Sequence, residues 1–452
     1  MPKFEINKTE IKTIAELIEN GSDRQLLKIL KDIHYADIAE IIDELPVEGA
    51  TYLIKLLDSE KTAEAITEVD EDLREKILEK LSATEIAKEI QELDTDDAAD
   101  LIAELPAVRQ EKVMSQISDT GHLEDIRELL TYEENTAGGL MAKELVKVHD
   151  SLSVLNCLNA MRAQAEEVTR VHSIYVVNEK NVLKGRLSLK DLITANSHAI
   201  VKDICIPSVD FVKVDQSGEE VAEIMSKYDL EAIPVVNSKK QLMGRITIDD
   251  IVDFIKEEAE KDYQLAAGIS NDVEANDGII QLTKARLPWL FLGLLGGLGS
   301  VFILQDFEQL MEQPKLRSLF FYTPLIAAMA GNVGVQSSAI IVQGLANNVV
   351  KGSLLNLLIK EIGLSLINGI ALSFFLILFG FIIQQDLTIS LTIAGSMMGV
   401  IIIAALIGTF VPIILDKKGI DPAIATGPFI TTSNDIFGIF LFFYMAKISL
   451  GF

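Results

Sequence analysis

Asp435 is the one charged residue in the long apolar stretch Pro422–Ala446. A carboxylate there marks an ion path or a wet cavity, because hydrocarbon does not tolerate a bare charge. The residues leading to it, Asp421-Pro422-Ala423-Ile424-Ala425-Thr426-Gly427-Pro428-Phe429-Ile430-Thr431-Thr432-Ser433-Asn434, mix hydroxyls, an amide and glycine into the apolar run. A second stretch does the same with Gly331-Asn332-Val333-Gly334-Val335-Gln336-Ser337-Ser338. Neither histidine nor cysteine occurs in this half, since the histidines are His34, His122, His149, His172 and His198 and the cysteines Cys157 and Cys205. Oxygen ligands alone suit a hard cation and disfavour zinc or copper. Further carboxylates gather outside the apolar half, at Asp94, Asp96, Asp97 and Asp100 and again at Glu257, Glu258, Glu260 and Asp262.

The chain that positions these groups has 452 residues, a hydrophobic fraction of 49% and a net charge of -27. Its mean hydropathy of +0.30 contradicts so many carboxylates in one globule. The charge is segregated: 59 of the 67 acidic and 33 of the 40 basic side chains precede Leu287. An acidic front half repels nucleic acid and anionic headgroups and makes cations the natural partners. The two cysteines lack CxxC spacing, which argues against a disulfide framework or a thiolate metal site. The polar start of the chain predicts no signal peptide, and the front half reads as cytosolic.

Five stretches reach the roughly 20 residues needed to cross a bilayer. They are Leu287–Leu304, Leu319–Val350, Ile362–Gln385, Leu387–Leu415 and Pro422–Ala446. Five crossings put Lys284, Arg286, Lys351, Lys360, Lys417 and Lys418 on one side, against Lys315 and Arg317 on the other. Short-loop lysine and arginine stay in the cytosol, so the N-terminal part is expected there and the C-terminus outside. The glycines Gly293, Gly296, Gly297 and Gly299 of the first stretch predict close helix packing.

The first part of the front half repeats with a period of 24, in which Leu53, Ile77 and Leu101 keep step with Ile54, Leu78 and Ile102 and with Leu57, Leu81 and Leu105. Such a period predicts stacked short helix pairs, an all-α superhelical solenoid. A second repeat has a step of 59. Tyr175-Val176-Val177-Asn178 and Gly185-Arg186-Leu187-Ser188-Leu189-Lys190-Asp191-Leu192 return as Pro234-Val235-Val236-Asn237 and Gly244-Arg245-Ile246-Thr247-Ile248-Asp249-Asp250-Ile251. Each copy reads as two strands and a helix capped by Ser or Thr with Asp three residues on. These α/β units resemble a tandem CBS pair, a module that often binds adenine nucleotides. Ser188, Asp191, Thr247 and Asp250 then become candidates for ribose and phosphate, though they equally serve as helix caps.

Taken together, Asp94-Thr95-Asp96-Asp97-Ala98-Ala99-Asp100-Leu101, Thr136-Ala137-Gly138-Gly139-Leu140-Met141, Gly331-Asn332-Val333-Gly334-Val335-Gln336-Ser337, and Asp421-Pro422-Ala423 with Gly427-Pro428-Phe429 and Asp435 resemble the MgtE family of magnesium channels and transporters. The resemblance covers nearly the whole chain. It implies a solenoid over residues 1–132, a tandem CBS pair over 133–250, a connecting plug helix over 251–270 and an all-α five-helix transmembrane domain over 271–452. It also implies a homodimer in the cell membrane whose pore is lined by the second and fifth membrane helices, with Asp435 binding hydrated Mg2+. Asn332, Gln336, Asp421, Thr431 and Asn434 are further pore-lining candidates. The cytosolic sensor would comprise Asp96, Asp100, Glu219, Asp229, Asp250, Asp253, Glu258 and Asp262, closing the pore when cytosolic Mg2+ is high, with ATP a candidate ligand of the CBS pair. The chain departs from the family at Lys261, Asn135 and Gln343, and Ser217-Gly218 reads as a small insertion before Glu219. An ion-coupled divalent-cation carrier and a non-transporting, membrane-anchored CBS regulator are the rival readings. A hydrolase is disfavoured, since His34-Tyr35-Ala36-Asp37 is not HExxH.

Overall fold

The computed structural model describes residues 8–165, 168, 170–270, 273–275, 277–313, 316–347, 349–350 and 353–451. Lys315 and Lys351, two of the residues used for orientation, lie outside them. The chain forms two compact units, Met1–Lys256 and Glu257–Phe452.

The first unit opens with helices α1 (Lys8–Glu19) and α2 (Asp23–Leu30), followed by four helix pairs. Their first members are α3 (Tyr35–Asp43), α5 (Ser59–Thr67), α7 (Ala83–Ile90) and α9 (Ala107–Met114), and their second members α4 (Val47–Leu56), α6 (Glu71–Lys80), α8 (Thr95–Ala103) and α10 (Thr120–Leu129). Successive first members start 24 residues apart, the period of the sequence. The three apolar triplets of that period are all buried, from Leu53 at 0% exposure to Leu57 at 9%. Arg74 ties neighbouring repeats, donating from Nη2 to Glu104 Oε1 at 2.6 Å and from Nη1 to the Thr67 and Val69 carbonyls.

One core position of the repeat is occupied by Ile41, Ala65, Glu89 and Val113 in turn, and all four are buried. Glu89 accepts a hydrogen bond from Thr62 Oγ1 at 2.5 Å. Burial pushes its carboxyl up to about 7, with the Thr62 bond opposing. A carboxyl with a raised folded-state pKa costs nothing below its unfolded pKa; the cost grows as pH rises and levels off above the folded value. Glu89→Met, which restores the apolar register, is therefore expected to stabilise residues 1–256 by roughly 2 kcal/mol at pH 8 and by almost nothing at pH 4.5. Urea midpoints of the two proteins across that range check this; curves that stay parallel at all pH values would exclude it.

Each CBS unit holds a three-stranded sheet. In the first, β1 (Val146–His149) runs parallel to β2 (Ile174–Val177), which pairs antiparallel with β3 (Leu183–Leu187). In the second, β4 (Val212–Lys213), β5 (Ala232–Val236) and β6 (Leu242–Thr247) repeat that order. Each unit therefore begins with a strand and helix that the internal repeat did not show: β1 leads into α11 (Val154–Gln164) and β4 into α14 (Gly218–Tyr228). Short helices α12 (Leu189–Thr194) and α13 (Val201–Ile204) follow β3. The pair Ser217-Gly218 is where α14 starts. Ser217 Oγ accepts from the Glu220 amide as N-cap, and Gly218 leaves room for the Phe254 ring, which a Cβ would strike. Helix α15 (Ile248–Ala267) follows β6 and continues past the boundary between the two units.

In the second unit, five helices among the described residues are long and apolar enough to cross a membrane. They are α16 (Ile279–Asp306), α17 (Thr323–Ala346, led in by a 3-10 turn), α18 (Leu354–Ile382), α19 (Leu387–Lys417) and α20 (Gly427–Leu450). The helices extend beyond the charge-free runs, since α16 takes in Lys284 and Arg286 and α18 takes in Lys360 and Glu361. Helix formation satisfies the backbone on either side of the hydrocarbon edge, so it need not stop where the charges begin. Gly296 and Gly299 of α16 abut Thr432 and Ile436 of α20, whereas Gly293 and Gly297 have open space beside them.

Candidate ion path and cation sensor

Helix α20 begins later than the apolar run suggests. Asp421 caps a 3-10 turn, Pro422–Ala425, by accepting from the Ala423 amide at 2.8 Å, and Thr426 breaks the chain before Gly427. Gly427 has φ +54, and any Cβ there would strike the Ala266 carbonyl at the end of α15. Asp435 is thus eight residues, or about 12 Å, into α20, not the 21 Å that one continuous helix from Asp421 would give.

Asp435 is half-buried and lies against α17 at Gly331, where a Cβ would come within 3.3 Å of its Oδ1. That oxygen has no hydrogen-bond partner. Asn332 and Gln336, one helical turn apart on α17, are exposed on the surface of the single chain. Thr431 donates its hydroxyl to the Gly427 carbonyl at 2.9 Å. Asn434 is 1% exposed, turned into the α17 interface at Gly334, and neither of its amide atoms has a partner. Helix α17 is held on its other side by α19, where Gly408 packs directly on the Gly334 carbonyl. Gly408→Ala would drive a methyl into that carbonyl, an overpacking expected to cost about 2 kcal/mol or more. A lowered unfolding temperature in detergent would register it, and an unchanged one would refute the contact.

A second cluster of carboxylates lies in the first unit, where α8 meets the CBS pair. Glu144 accepts from Thr95 Oγ1 at 2.8 Å and from its amide at 3.2 Å, and the Lys143 amide donates to Thr95 Oγ1. This docking brings Asp94 and Asp96 into the field of Glu144 and Asp250, and Asp97 into that of Asp250. Burial, reinforced by those neighbours, pushes Asp94 up to about 6 and Asp97 up to about 7, and drives Asp96 well above the usual carboxylate range. Asp250 is raised as well, by burial first, while its bonds to Thr247 pull it back. Arg245 faces the cluster with Nη2 4.0 Å from Asp94 Oδ2. Negative charge exceeds positive here, so the cluster must take up protons or cations.

The remaining sensor candidates are dispersed. Asp100 is exposed on α8 and raises Asp97 through its charge. Glu219 is exposed in the first turn of α14, Asp229 is its left-handed C-cap at φ 51, and Asp253 is exposed one turn beyond Asp250. Glu258 and Asp262 belong to the second unit, where Lys261 Nζ pairs with Glu258 Oε1 at 3.1 Å. Among the described residues no three histidine, cysteine or carboxylate groups converge to hold a bare metal ion. A hydrated Mg2+ does not require that, because it keeps several waters and uses one or two carboxylates.

The nucleotide candidates are engaged in helix caps. Ser188 Oγ bonds Asp191 Oδ2 at 2.6 Å, and Thr247 Oγ1 bonds Asp250 Oδ2 at 2.5 Å. Glu144 is the carboxylate of this cluster that the sequence alone does not bring to it. Glu144 lies 50 residues from Asp94, and folding alone joins them.

Five membrane-capable helices, one of them carrying Asp435, and an acidic N-terminal part define a multi-pass cation transporter with a soluble N-terminal part. Residues 323–445 match the divalent cation transporter domain MgtE, residues 33–135 the MgtE intracellular N domain, and residues 137–198 and 201–257 the CBS domain. The chain is 32% identical to the magnesium transporter MgtE of Thermus thermophilus over 97% of its length and 98% of the relative's. It is 31% identical to the Bacillus subtilis magnesium transporter MgtE, with 96% of each chain covered. Its fold matches a crystal structure of the cytosolic domain of the Mg2+ channel MgtE in complex with ATP, at 33% identity and TM-score 0.51, over 54% of this chain and 99% of that one. The chain belongs to the MgtE family and functions in Mg2+ transport.

Proposed function

We propose that the protein is a homodimeric Mg2+ channel of the cell membrane that imports the ion down its electrochemical gradient and is closed by cytosolic Mg2+. The observation that carries the reading is the exposed amide stripe of Asn332 and Gln336 on membrane helix α17. Amides at that depth cannot face lipid, so a second copy facing the first would turn them, with Asp435, toward a shared wet path. Residues 251–270 then act as the plug, and the acidic cluster of the first unit as the sensor. Lysine and arginine in the short loops orient the N-terminal part to the cytosol and the C-terminus outside. ATP at the CBS pair would compete with the Ser188–Asp191 and Thr247–Asp250 caps for the same side chains.

A divalent ion entering an interior-negative cell gains about 4.6 kcal/mol per 100 mV, twice the unit-charge value, so neither ATP hydrolysis nor a coupling ion is required. Proteoliposomes given a Mg2+ gradient alone, with Na+ and H+ equal on both sides, are expected to load Mg2+ faster as the interior is made more negative. Uptake that demands a Na+ or H+ gradient would replace the channel by a coupled carrier.

A further inference from the structure

Besides Asp435, one part-buried carboxylate contact among the described residues of the five spans is not used by the proposed path. Glu361 lies seven residues into α18 and is half-buried. Ser337 of α17, 5% exposed, donates its hydroxyl to Glu361 Oε1 at 2.5 Å. None of the ion pairs among the described residues includes Glu361. In surroundings of low dielectric, a hydroxyl bonded to a carboxylate is among the stronger side-chain contacts, so it can hold one helix against another.

The helix so held is the one whose placement matters. Gly331 of α17 lies against Asp435, Gly334 lies against Asn434, and Gly408 of α19 allows no slack behind Gly334. Ser337 is six residues from Gly331 on the same helix, about 9 Å along its axis. A displacement at Ser337 is therefore passed along α17 to the wall of the Asp435 site. We propose that Glu361 is a positioning residue for Mg2+ conduction, holding α17 through Ser337 in the register at which Gly331 meets Asp435. The carboxylate serves as a hydrogen-bond acceptor on the helix and does not bind the passing ion. This inference rests on the reading that α17 and α20 line the path. Normal flux through the Asp435→Asn protein would remove that reading, whereas the variants below test the contact itself.

The test is Mg2+ uptake by the full chain in proteoliposomes, with the amount of reconstituted protein measured for each variant. Ser337→Ala and Glu361→Ala are each expected to lower maximal flux about tenfold, the size of a lost charge-assisted bond. The double variant should fall no further than either single one, because both remove the same contact. Glu361→Gln keeps an acceptor and Ser337→Thr keeps the donor, so each should recover most of the flux. The half-saturating Mg2+ concentration should not move in any of them, since Asp435 is untouched. Should the alanine variants fail to reconstitute, Glu361→Gln and Ser337→Thr decide the question by themselves. Loss in Glu361→Gln equal to that in Glu361→Ala, with a raised half-saturating concentration, would overturn the proposal in favour of a charge acting on the ion. Wild-type flux in Ser337→Ala, or a double variant as low as the product of the singles, would overturn it too.

Discussion

Asp435→Asn is expected to reduce Mg2+ flux about a hundredfold or more while the protein still inserts and assembles. Asparagine matches aspartate in volume, so the close approach of Gly331 to this side chain survives. What disappears is the charge that offsets the ion's separation from bulk water. Across one layer of water, at roughly 5 Å, a carboxylate attracts a divalent ion by about 3 kcal/mol at an effective dielectric of about 40. At about 1.4 kcal/mol per factor of ten, one lost carboxylate corresponds to about two decades. A dimer loses two. The amide also presents N–H donors where the waters around Mg2+ present hydrogens, which makes asparagine worse than merely neutral. Dye-reported uptake in proteoliposomes, with elution volume and helical content as controls, measures the effect. Wild-type uptake by a properly assembled Asp435→Asn protein would remove Asp435 from the path.

The parts of the architecture that repeat were readable because repetition multiplies a weak signal. Three apolar triplets at a step of 24 place the solenoid helices, and a step of 59 places β2, β3, β5 and β6. The strands that open each CBS unit carry no such signal: Val212–Lys213 is two residues long, and what makes it a strand is its pairing with Val235 and Val236. Spans were readable from length and lack of charge, but not the break at Thr426, which depends on Gly427 taking a positive φ against Ala266. Asp435 stood out because it is alone in apolar surroundings. Glu361 did not, because it sits at the edge of its run beside Lys360, and its contact with Ser337 is tertiary. Glu89 could have been found from sequence, as the one carboxylate in the series Ile41, Ala65, Glu89, Val113. The acidic cluster could be found only in half, since Asp94, Asp96, Asp97 and Asp100 adjoin one another in the chain while Glu144 and Asp250 reach them through folding.

Replacing Asp96, Asp100, Asp250 and Asp253 together by asparagine is expected to leave the channel open at cytosolic Mg2+ concentrations that close the wild type. If bound metal holds the closed state, that state must bind Mg2+ more tightly than the open one, and removing ligands removes the difference. An opposing effect must be weighed, because on the same reading neutralisation would also relieve the repulsion between bare carboxylates that favours the open state. Protons limit that repulsion. Asp97 is pushed up to about 7 and Asp94 up to about 6, so part of the cluster is already protonated near neutrality, with burial rather than repulsion as the largest cause. Little repulsion is left for asparagine to relieve, whereas the lost metal bridges have no substitute. The same competition fixes the sign of the pH dependence. Mg2+ needs the deprotonated carboxylates, so as pH falls from about 7 to 6 more Mg2+ should be required to close the wild-type channel. The fourfold variant, whose remaining Asp94 and Asp97 lack their partners, should lose both the closure and most of this pH shift. Open probability in patches, measured against cytosolic Mg2+ at pH 7.5 and 6, checks both. A variant that still shuts at the wild-type concentration would place the sensor in the second unit, with Glu258 and Asp262 the next carboxylates to replace.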